Sequence, residues 1–484
     1  GQGNVATTLT SGITIPGGSG SEKEVDVVEP YVQKMSSTVN APAKTASITV
    51  RISDRYFSTS TLTKDTIKVY INGTENASVK TGWSTSEETE TRTEKGTTSS
   101  VHVATNYTLN MSGFASNINQ IKVVVPANVV KDTSGNGNKQ TEYIIYNVLR
   151  SAANEYDKEK ESAFLGNDKM QRQNVDNVTF VNNIPSTIYD KSNKKILNTS
   201  TTWDVSAQQD NSILAWYTTS NGSYNVYIGS EYEMFGNIIS ARLFQYVGED
   251  SVCTATQTIT NLNLLNVSSV QSMNAMFRHT GYNAMTELNL GDNFDTSNVT
   301  EMGFMFGKTG YNAMKTLNLG NKFNTSNVTN MSWMFANTGF SAMTKLDLGT
   351  NFDTINVTYM YQMFRRTGYT AMTTLNLGSN FDTSKVTDMS SMFYHIQTTT
   401  LDLGSFDTSN VSNMGWMFQN ADNLETIYVS NKFVTKNVTG DIPMFKNSPK
   451  LVGGAGTVYD STKVDKTYAR IDGGTSSPGY FTKK

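Results

Sequence analysis

Residues 294–306 read FDTSNVTEMGFMF, and residues 323–335 repeat the pattern as FNTSNVTNMSWMF. Further copies are FDTINVTYMYQMF at 352–364, FDTSKVTDMSSMF at 381–393 and FDTSNVSNMGWMF at 406–418. With two degenerate copies, units start near residues 265, 294, 323, 352, 381, 406 and 433. Because one such unit cannot bury its own apolar side, the recurrence predicts units that stack on one another.

Each unit contains two apolar patterns. The first alternates, as in Leu288-Asn289-Leu290, and predicts a short strand with both leucines facing inward. The second places Val299, Met302, Met305 and Phe306 at spacings of three, three and one, which fits one face of a short helix. The predicted fold class is therefore mainly β with short helices, ending in a capped leucine-rich-repeat solenoid of strand–turn–helix units.

The segment before the repeats predicts a separate β module. Alternating apolar residues such as Ile48, Val50 and Ile52, with turn signals such as Asn72-Gly73, are typical of an immunoglobulin-like β-sandwich. Charged residues over 151–169 predict a linker helix. The predicted domains are a leader or linker at 1–25, the sandwich at 26–150, a linker helix and N-terminal cap at 151–264, the repeats at 265–450 and a C-terminal cap at 451–484.

Composition excludes several classes of protein. Of 484 residues, 37% are hydrophobic and 17% are charged, and the net charge is −3. This profile predicts neither nucleic-acid binding nor membrane insertion. Nucleic-acid binding needs clustered basic residues and membrane insertion needs a long apolar run, and the sequence has neither. Cys253 is the one cysteine, so no intramolecular disulfide can form. No signal peptide opens the sequence, and the Gly/Ser/Thr-rich start at Gly1 predicts a piece cut from a longer exported chain.

The repeats and their Leu-x-Leu-Gly strands resemble the BspA-like leucine-rich-repeat surface proteins of bacteria. The segment from Trp203 to Ala207 is similar to sequence that often precedes such repeats. Four units carry an inserted TGYxAM motif, as at 309–314, and this insertion departs from the shorter form of the family. The resemblance implies export, display at the extracellular cell surface, and adhesion to host proteins such as fibronectin or fibrinogen. It implies no catalytic residues.

The first candidate binding surface is the row of residues between the paired leucines. These residues should face away from the core and are Asn289, Asn318, Asp347, Asn376, Asp402 and Tyr428. A polar sheet face is where stacked repeats usually bind partners. The alternative is a solvated face whose side chains bond one another.

Aromatic columns form the second candidate. One column contains Phe304, Trp333 and Trp416, with Tyr361 nearby, outside the predicted buried stripe. The other contains Tyr282, Tyr311, Phe340 and Tyr369. Exposed aromatic rings in register could stack on sugars or dock a protein. The alternative is that the rings pack on each other and cover the edge of the repeats.

The sequence gives weaker support for a catalytic or metal-binding site. The three histidines, His102, His279 and His395, form no metal-ligand spacing with cysteine or carboxylates. Cys253 is expected to be a buried structural thiol, and the run DTSGNGN at 132–138 is expected to be a turn rather than a calcium loop. Asp204, Asp210, Glu231 and Glu233 could serve a glycosidase, but no spacing singles them out.

The function predicted from sequence is a non-catalytic bacterial adhesin without metal or cofactor. Its expected partner is an extracellular-matrix or cell-surface protein of a host, or a protein of a neighbouring cell. The alternatives are a carbohydrate-binding module that uses the aromatic columns and a structural spacer within a larger surface protein.

Overall fold

The computed structural model describes residues 28–154 and 163–484. The predicted leader at 1–25 lies outside these ranges, and so do residues 155–162 of the predicted linker helix. Residues 163–164 and 167–169 of that predicted helix lie in short strands instead, and the second strand extends to Gln171. The described residues contain no α-helix. Four single-turn 3₁₀-helices are present at Arg172–Asn174, Leu262–Leu264, Lys466–Tyr468 and Gly474–Ser476.

The N-terminal module contains ten strands around one apolar core. They are β1 (Tyr31–Asn40), β2 (Thr45–Ser53), β3 (Phe57–Ser60), β4 (Lys68–Ile71), β5 (Thr74–Glu75), β6 (Lys80–Glu94), β7 (Thr97–Ser112), β8 (Gln120–Val125), β9 (Val130–Asp132) and β10 (Thr141–Asn147). Two antiparallel sheets have the orders β1-β2-β7-β6 and β10-β8-β4-β5, and β3 pairs with β9. Alternate residues such as Ile48 and Val123 enter the shared core. The assignment as an immunoglobulin-like domain stays a prediction.

A middle unit follows. Its strands are β11 (Ala163–Phe164), β12 (Asn167–Gln171), β13 (Val175–Val181), β14 (Tyr189–Asp190), β15 (Lys195–Ile196), β16 (Thr202–Asp204), β17 (Leu214–Ser220), β18 (Ser223–Gly229), β19 (Met234–Phe235), β20 (Thr258–Thr260) and β21 (Leu265–Asn266). The main sheet has the order β16-β17-β18-β13-β20. Val148 bridges to Phe235, and Leu149 bridges to Ser206, so the backbone joins this unit to the N-terminal module.

The repeats contribute only short strands. They are β22 (Glu287–Asn289), β23 (Thr316–Asn318), β24 (Lys345–Asp347), β25 (Thr374–Asn376), β26 (Thr400–Leu403) and β27 (Thr426–Val429), followed by β28 (Phe481–Lys483) near the C-terminus. They pair in parallel as separate small sheets: β22 with β23, β24 with β25, and β26-β27-β28. A row of single parallel bridges connects successive units a second time, through residues 239, 272, 301, 330, 359, 388 and 413.

The predicted helix of each unit is wrong, and so is the fold class of a strand–turn–helix leucine-rich-repeat solenoid. The segment after Met302 forms successive turns, closed by Met305 N–H to Met302 O at 3.1 Å and Thr309 N–H to Phe306 O at 2.9 Å. Intervening amides bond to the next unit, as Phe304 N–H does to Ser332 O at 2.9 Å. An α-helix would use these amides internally. Apolar residues at spacings of three, three and one lie on one side of a series of turns as well as on one side of a helix. The pattern therefore does not distinguish the two backbones.

The apolar positions of all units nevertheless share one core. Val299, Met302, Met305 and Phe306 are fully buried, as are their counterparts in the next four units. The last aromatic of each unit stacks on the next, as Phe306 does on Phe335 with ring centres 5.5 Å apart. The core includes residues of the middle unit at one end and Tyr480 and Phe481 at the other. Burial of this shared core therefore stabilises the stack as a whole.

Candidate ligand-binding surface

The six residues between the paired apolar positions, here called the strand row, are all exposed. They are Asn289, Asn318, Asp347, Asn376, Asp402 and Tyr428. Each of the first five accepts a hydrogen bond from the N–H of the glycine two residues later, at 2.9 to 3.1 Å. Such bonds form Asx turns, for which Asn and Asp are preferred. The turn therefore accounts for these residue types without a ligand.

Some strand-row side chains also bond one another. Asn376 Nδ2 donates to Asp347 Oδ1 at 3.0 Å, and Lys345 Nζ lies 3.1 Å from Asp347 Oδ2. Burial opposes ionisation of Asp347, but hydrogen bonds from Gly349, Lys345 and Asn376 outweigh it and lower the pKa of the carboxyl. Asp402 forms an ion pair with Lys484. The strand row is thus partly saturated by its own neighbours.

The tyrosine-rich column is packed against itself. Tyr282 stacks on Tyr311 with ring centres 4.7 Å apart, and Tyr311 stacks on Phe340 at 4.4 Å. Phe340 meets Tyr369 at 4.8 Å with a tilt of 30°. All four rings are half-buried. This geometry fits the alternative in which the rings pack on one another and cover the edge of the repeats, rather than a row of free rings.

Phe304, Trp333 and Trp416, here called the aromatic row, lie at equivalent positions of their units. Their φ angles are 60°, 60° and 58°. The left-handed region costs a side chain with Cβ roughly 1–2 kcal/mol, so it is unusual for such bulky residues. Phe304 and Trp333 are half-buried and stack with ring centres 5.5 Å apart. Trp416 is 45% exposed, and no ring contact to it occurs within the described ranges.

Arginines stand beside the aromatic row. Arg278 Cζ lies 5.3 Å from the centre of the Phe304 ring. Arg365 Cζ lies 5.4 Å from the Trp333 ring and 5.1 Å from the Tyr394 ring. These distances allow cation–π attraction. Burial, followed by the charge of Arg366, lowers the pKa of Arg365.

A cavity of about 320 Å³ opens between Arg365 and Trp416 and is here called the Trp416 cavity. Its lining residues are Gln362, Arg365, Ser391, Tyr394, Trp416 and Gln419. Of these, only Trp416 is a candidate on the sequence alone. Alignment of the units points to two more of them, because Gln362 and Ser391 occupy the position that Trp333 and Trp416 hold in neighbouring units. The gap that they leave in the aromatic row is visible in the sequence.

The candidate carboxylates of the middle unit are bonded to protein groups. Asp210 accepts from Gln120 Nε2 at 2.8 Å, and Glu231 pairs with Lys191 at 2.9 Å. Both line a cavity of about 280 Å³ at the joint with the N-terminal module. Asp204 accepts from Ser206 and Asn211, and Glu233 accepts from Asn266. These bonds indicate structural roles.

The remaining candidates lie apart from these surfaces. The Cys253 thiol is buried, which raises its pKa, and it donates to Gln173 O at 3.3 Å. His279 Nδ1 lies 2.7 Å from Glu249 Oε1. Asp132 of the DTSGNGN run accepts from the backbone N–H groups of Ser134 and Asn136, both at 2.8 Å, so this run is a turn. Within residues 28–154 and 163–484, no cluster of His, Cys, Asp and Glu could hold a metal ion.

Comparison with known families gives one match. Residues 249–370 and 338–454 are similar to the family DUF285, described as a Mycoplasma protein of unknown function. The two stretches together span all of the repeats at 265–450 and cover less than half of the chain. No curated protein and no solved structure matches. The resemblance to BspA-like leucine-rich-repeat proteins is therefore corrected: the matching family is a different one, and the helices and the solenoid that the resemblance implied are missing from the described residues.

Proposed function

We propose that this chain is a non-catalytic binding protein of the bacterial cell surface and that it recognises carbohydrate through the aromatic row. The observation that supports this most is Trp416, whose large apolar ring is 45% exposed. Exposed apolar surface bordered by polar side chains is typical of interaction sites. An indole face beside polar side chains suits a sugar, which presents apolar C–H faces and hydroxyl groups.

A host or neighbouring-cell protein bound to the strand row is the second candidate. The specific observation in its favour is that all six strand-row residues face solvent along one line. Its weakness is that most of these polar groups already bond within the chain. The aromatic row supplies large, rigid side chains of the kind that dominate binding energies.

The experiment compares binding to a glycan array with binding to a panel of matrix and cell-surface proteins. The variant Trp333→Ala/Trp416→Ala should lose glycan binding, whereas Asn318→Ala, a matched change on the strand row, should keep it. Loss of protein binding in Asn318→Ala, with the double variant unaffected, would support the strand row instead. Failure to bind any ligand of either class would favour a spacer.

Surface location is part of the proposal. Its support is the low charge fraction of 17% and the wealth of Asn, Thr and Ser in the repeats. Within the described ranges, no helix has the length and hydropathy of a membrane span. The test is protease treatment of intact cells that produce the protein. Digestion without lysis is expected, and protection until lysis would contradict surface display.

A further inference from the structure

The Trp416 cavity lies where the aromatic row is interrupted. At the position held by Trp333 and Trp416, the two units between them carry Gln362 and Ser391. The unit-to-unit step of paired strands is about 4.8 Å, so three steps separate the two indoles by about 14 Å. The cavity volume of about 320 Å³ falls at the small end of the range for small-molecule sites. Polar residues smaller than tryptophan thus leave a recess between two bulky aromatic positions.

Arg365 brings a fixed positive charge to this recess. Its guanidinium is held between the rings of Trp333 and Tyr394, and its Nη1 donates to Gln362 Oε1 at 3.0 Å. The contacts come from three successive units, so the orientation of the guanidinium is set by the stack. A planar guanidinium fixed in this way can donate two parallel hydrogen bonds to an anion.

That charge has no protein counter-ion. No carboxylate of residues 28–154 or 163–484 lies within 4 Å of the guanidinium of Arg365 or of Arg366 next to it. Two adjacent arginines, both half-buried, repel each other and are costly to desolvate without an anion. An anionic group in the recess would relieve both costs.

Gln419 adds a neutral hydrogen-bonding group. Its Oε1 is buried and has no hydrogen-bond partner within the described residues, although the side chain lines the cavity. Buried polar atoms are normally bonded, so an orphan acceptor in a cavity wall is a place for a hydroxyl donor. Trp416 supplies the apolar platform at the same recess.

We propose that the Trp416 cavity binds a sugar that carries a carboxylate, such as a uronic acid. The sugar ring lies on the Trp416 indole, its carboxylate accepts hydrogen bonds from Arg365, and a hydroxyl donates to Gln419 Oε1. This inference rests on the proposed carbohydrate-binding function and adds the class of sugar. A neutral sugar would leave Arg365 uncompensated.

Binding is measured by calorimetry on the full chain with a disaccharide that contains glucuronate and with the same disaccharide carrying glucose instead. The acidic sugar is expected to bind about tenfold more tightly, because charge-assisted hydrogen bonds are stronger than neutral ones. A sulfated disaccharide distinguishes the carboxylate from another anion. Equal or tighter binding of the sulfated sugar would overturn the assignment to carboxylate.

The critical variant is Arg365→Gln, and its matched control is Arg278→Gln. Arg278 holds the same position in its own unit and also lies over an aromatic ring, but it does not line the cavity. Arg365→Gln should lose the preference for the acidic sugar while keeping the neutral one, and Arg278→Gln should behave as the native chain. Thermal unfolding checks that both variants fold. If Arg365→Gln is destabilised, Arg365→Lys, which keeps the charge but loses the planar fork, should retain only part of the preference.

The outcomes separate this inference from the proposed function. Equal binding of acidic and neutral sugars, abolished by Trp416→Ala, would refute the acidic-sugar inference and leave carbohydrate binding intact. Absence of binding to every sugar tested would refute both. An unchanged preference in Arg365→Gln would show that the anion is recognised elsewhere and would also overturn the inference.

Discussion

Arg365 lies between Trp333 of the preceding unit and Tyr394 of the following one, with its Cζ 5.4 Å and 5.1 Å from the two ring centres. One side chain therefore ties three units together outside the apolar core. Cation–π contacts at partly exposed sites are worth about 0.5–1 kcal/mol each.

Removal of this side chain should weaken the stack. We expect Arg365→Ala to lower the free energy of unfolding by about 1–2 kcal/mol, measured by urea denaturation. Arg278→Ala, which loses one ring contact, with Phe304, should cost about half as much. Equal losses in the two variants would show that bridging two rings adds nothing.

A column of buried threonines should stabilise the stack through hydrogen bonds. Thr338 is fully buried, and its Oγ1 donates to Phe306 O of the preceding unit at 2.6 Å. Thr338→Val should cost about 1 kcal/mol, because the hydrogen bond is lost within the core. The control is Thr329→Val, whose hydroxyl makes a 3.2 Å bond to Thr300 O at an exposed site. We expect its cost to stay within about 0.5 kcal/mol in the same denaturation assay.

The glycine of each TGYxAM insertion should not tolerate a side chain. Gly339 has φ of 53°, and a Cβ there would lie 2.5 Å from Met343 Cβ and 3.0 Å from Met314 O. Gly349 has φ of 70° with open space around it. Gly349→Ala should therefore show only the left-handed backbone cost of about 1–2 kcal/mol, and Gly339→Ala should cost more. Similar melting temperatures for the two variants would contradict this reasoning.

The stability of the chain should fall when pH drops below about 6.5. Burial lowers the pKa of His279 from its ordinary value of 6.5, although the Glu249 carboxylate favours the charged form. Above pH 6.5 the imidazole is neutral in both states, so its contribution is fully present. As pH falls, the unfolded chain binds the proton first, and the free energy of unfolding decreases until pH passes the lower folded pKa.

The measurement for this prediction is urea denaturation between pH 7 and pH 5. His279→Gln should flatten the slope in that range. His395, whose pKa burial also lowers, contributes to the same loss, and His395→Gln is therefore a parallel variant. A slope that neither substitution changes would assign the pH dependence to other groups.

Far-UV circular dichroism tests whether the repeats contain turns instead of the helices that the sequence predicts. A chain whose described residues contain turns and strands but no α-helix should show no helical minimum at 222 nm beyond a weak turn contribution. A helical signal corresponding to one short helix in each of the seven units would contradict the stacked turns.

The sequence predicted which positions of the repeats are buried better than it predicted their backbone. Spacing identifies the side of the chain that faces the core, and Met302, Met305 and Phe306 are buried as expected. It does not identify the partner of each N–H group. Phe304 N–H bonds to Ser332 of the next unit, and this choice between internal and neighbouring carbonyls depends on the stack as a whole.

The candidate site was only partly predictable for the same reason. Trp416 stands out in the sequence because tryptophan is rare, and its exposure follows from its place outside the apolar pattern. Arg365 does not stand out in the sequence, because only two units carry an arginine at this position, Arg278 and Arg365, and the other units vary there. Its significance comes from Trp333 and Tyr394, which lie about 30 residues away in each direction along the chain and become neighbours only when the units stack.

The two unit lengths bear on how such a chain could change during evolution. Hydrogen bonds between neighbouring units occur at equivalent positions whether or not a unit carries TGYxAM. Phe364 N–H, in a unit with the insertion, bonds to Met392 O, and Phe393 N–H, in a unit without it, bonds to Met417 O. Deletion or duplication of one entire unit would therefore bring together surfaces that already fit. The molecule can therefore vary in length by whole units, and the recess beside Trp416 is kept as long as the three units that form it, which start at 352, 381 and 406, remain adjacent.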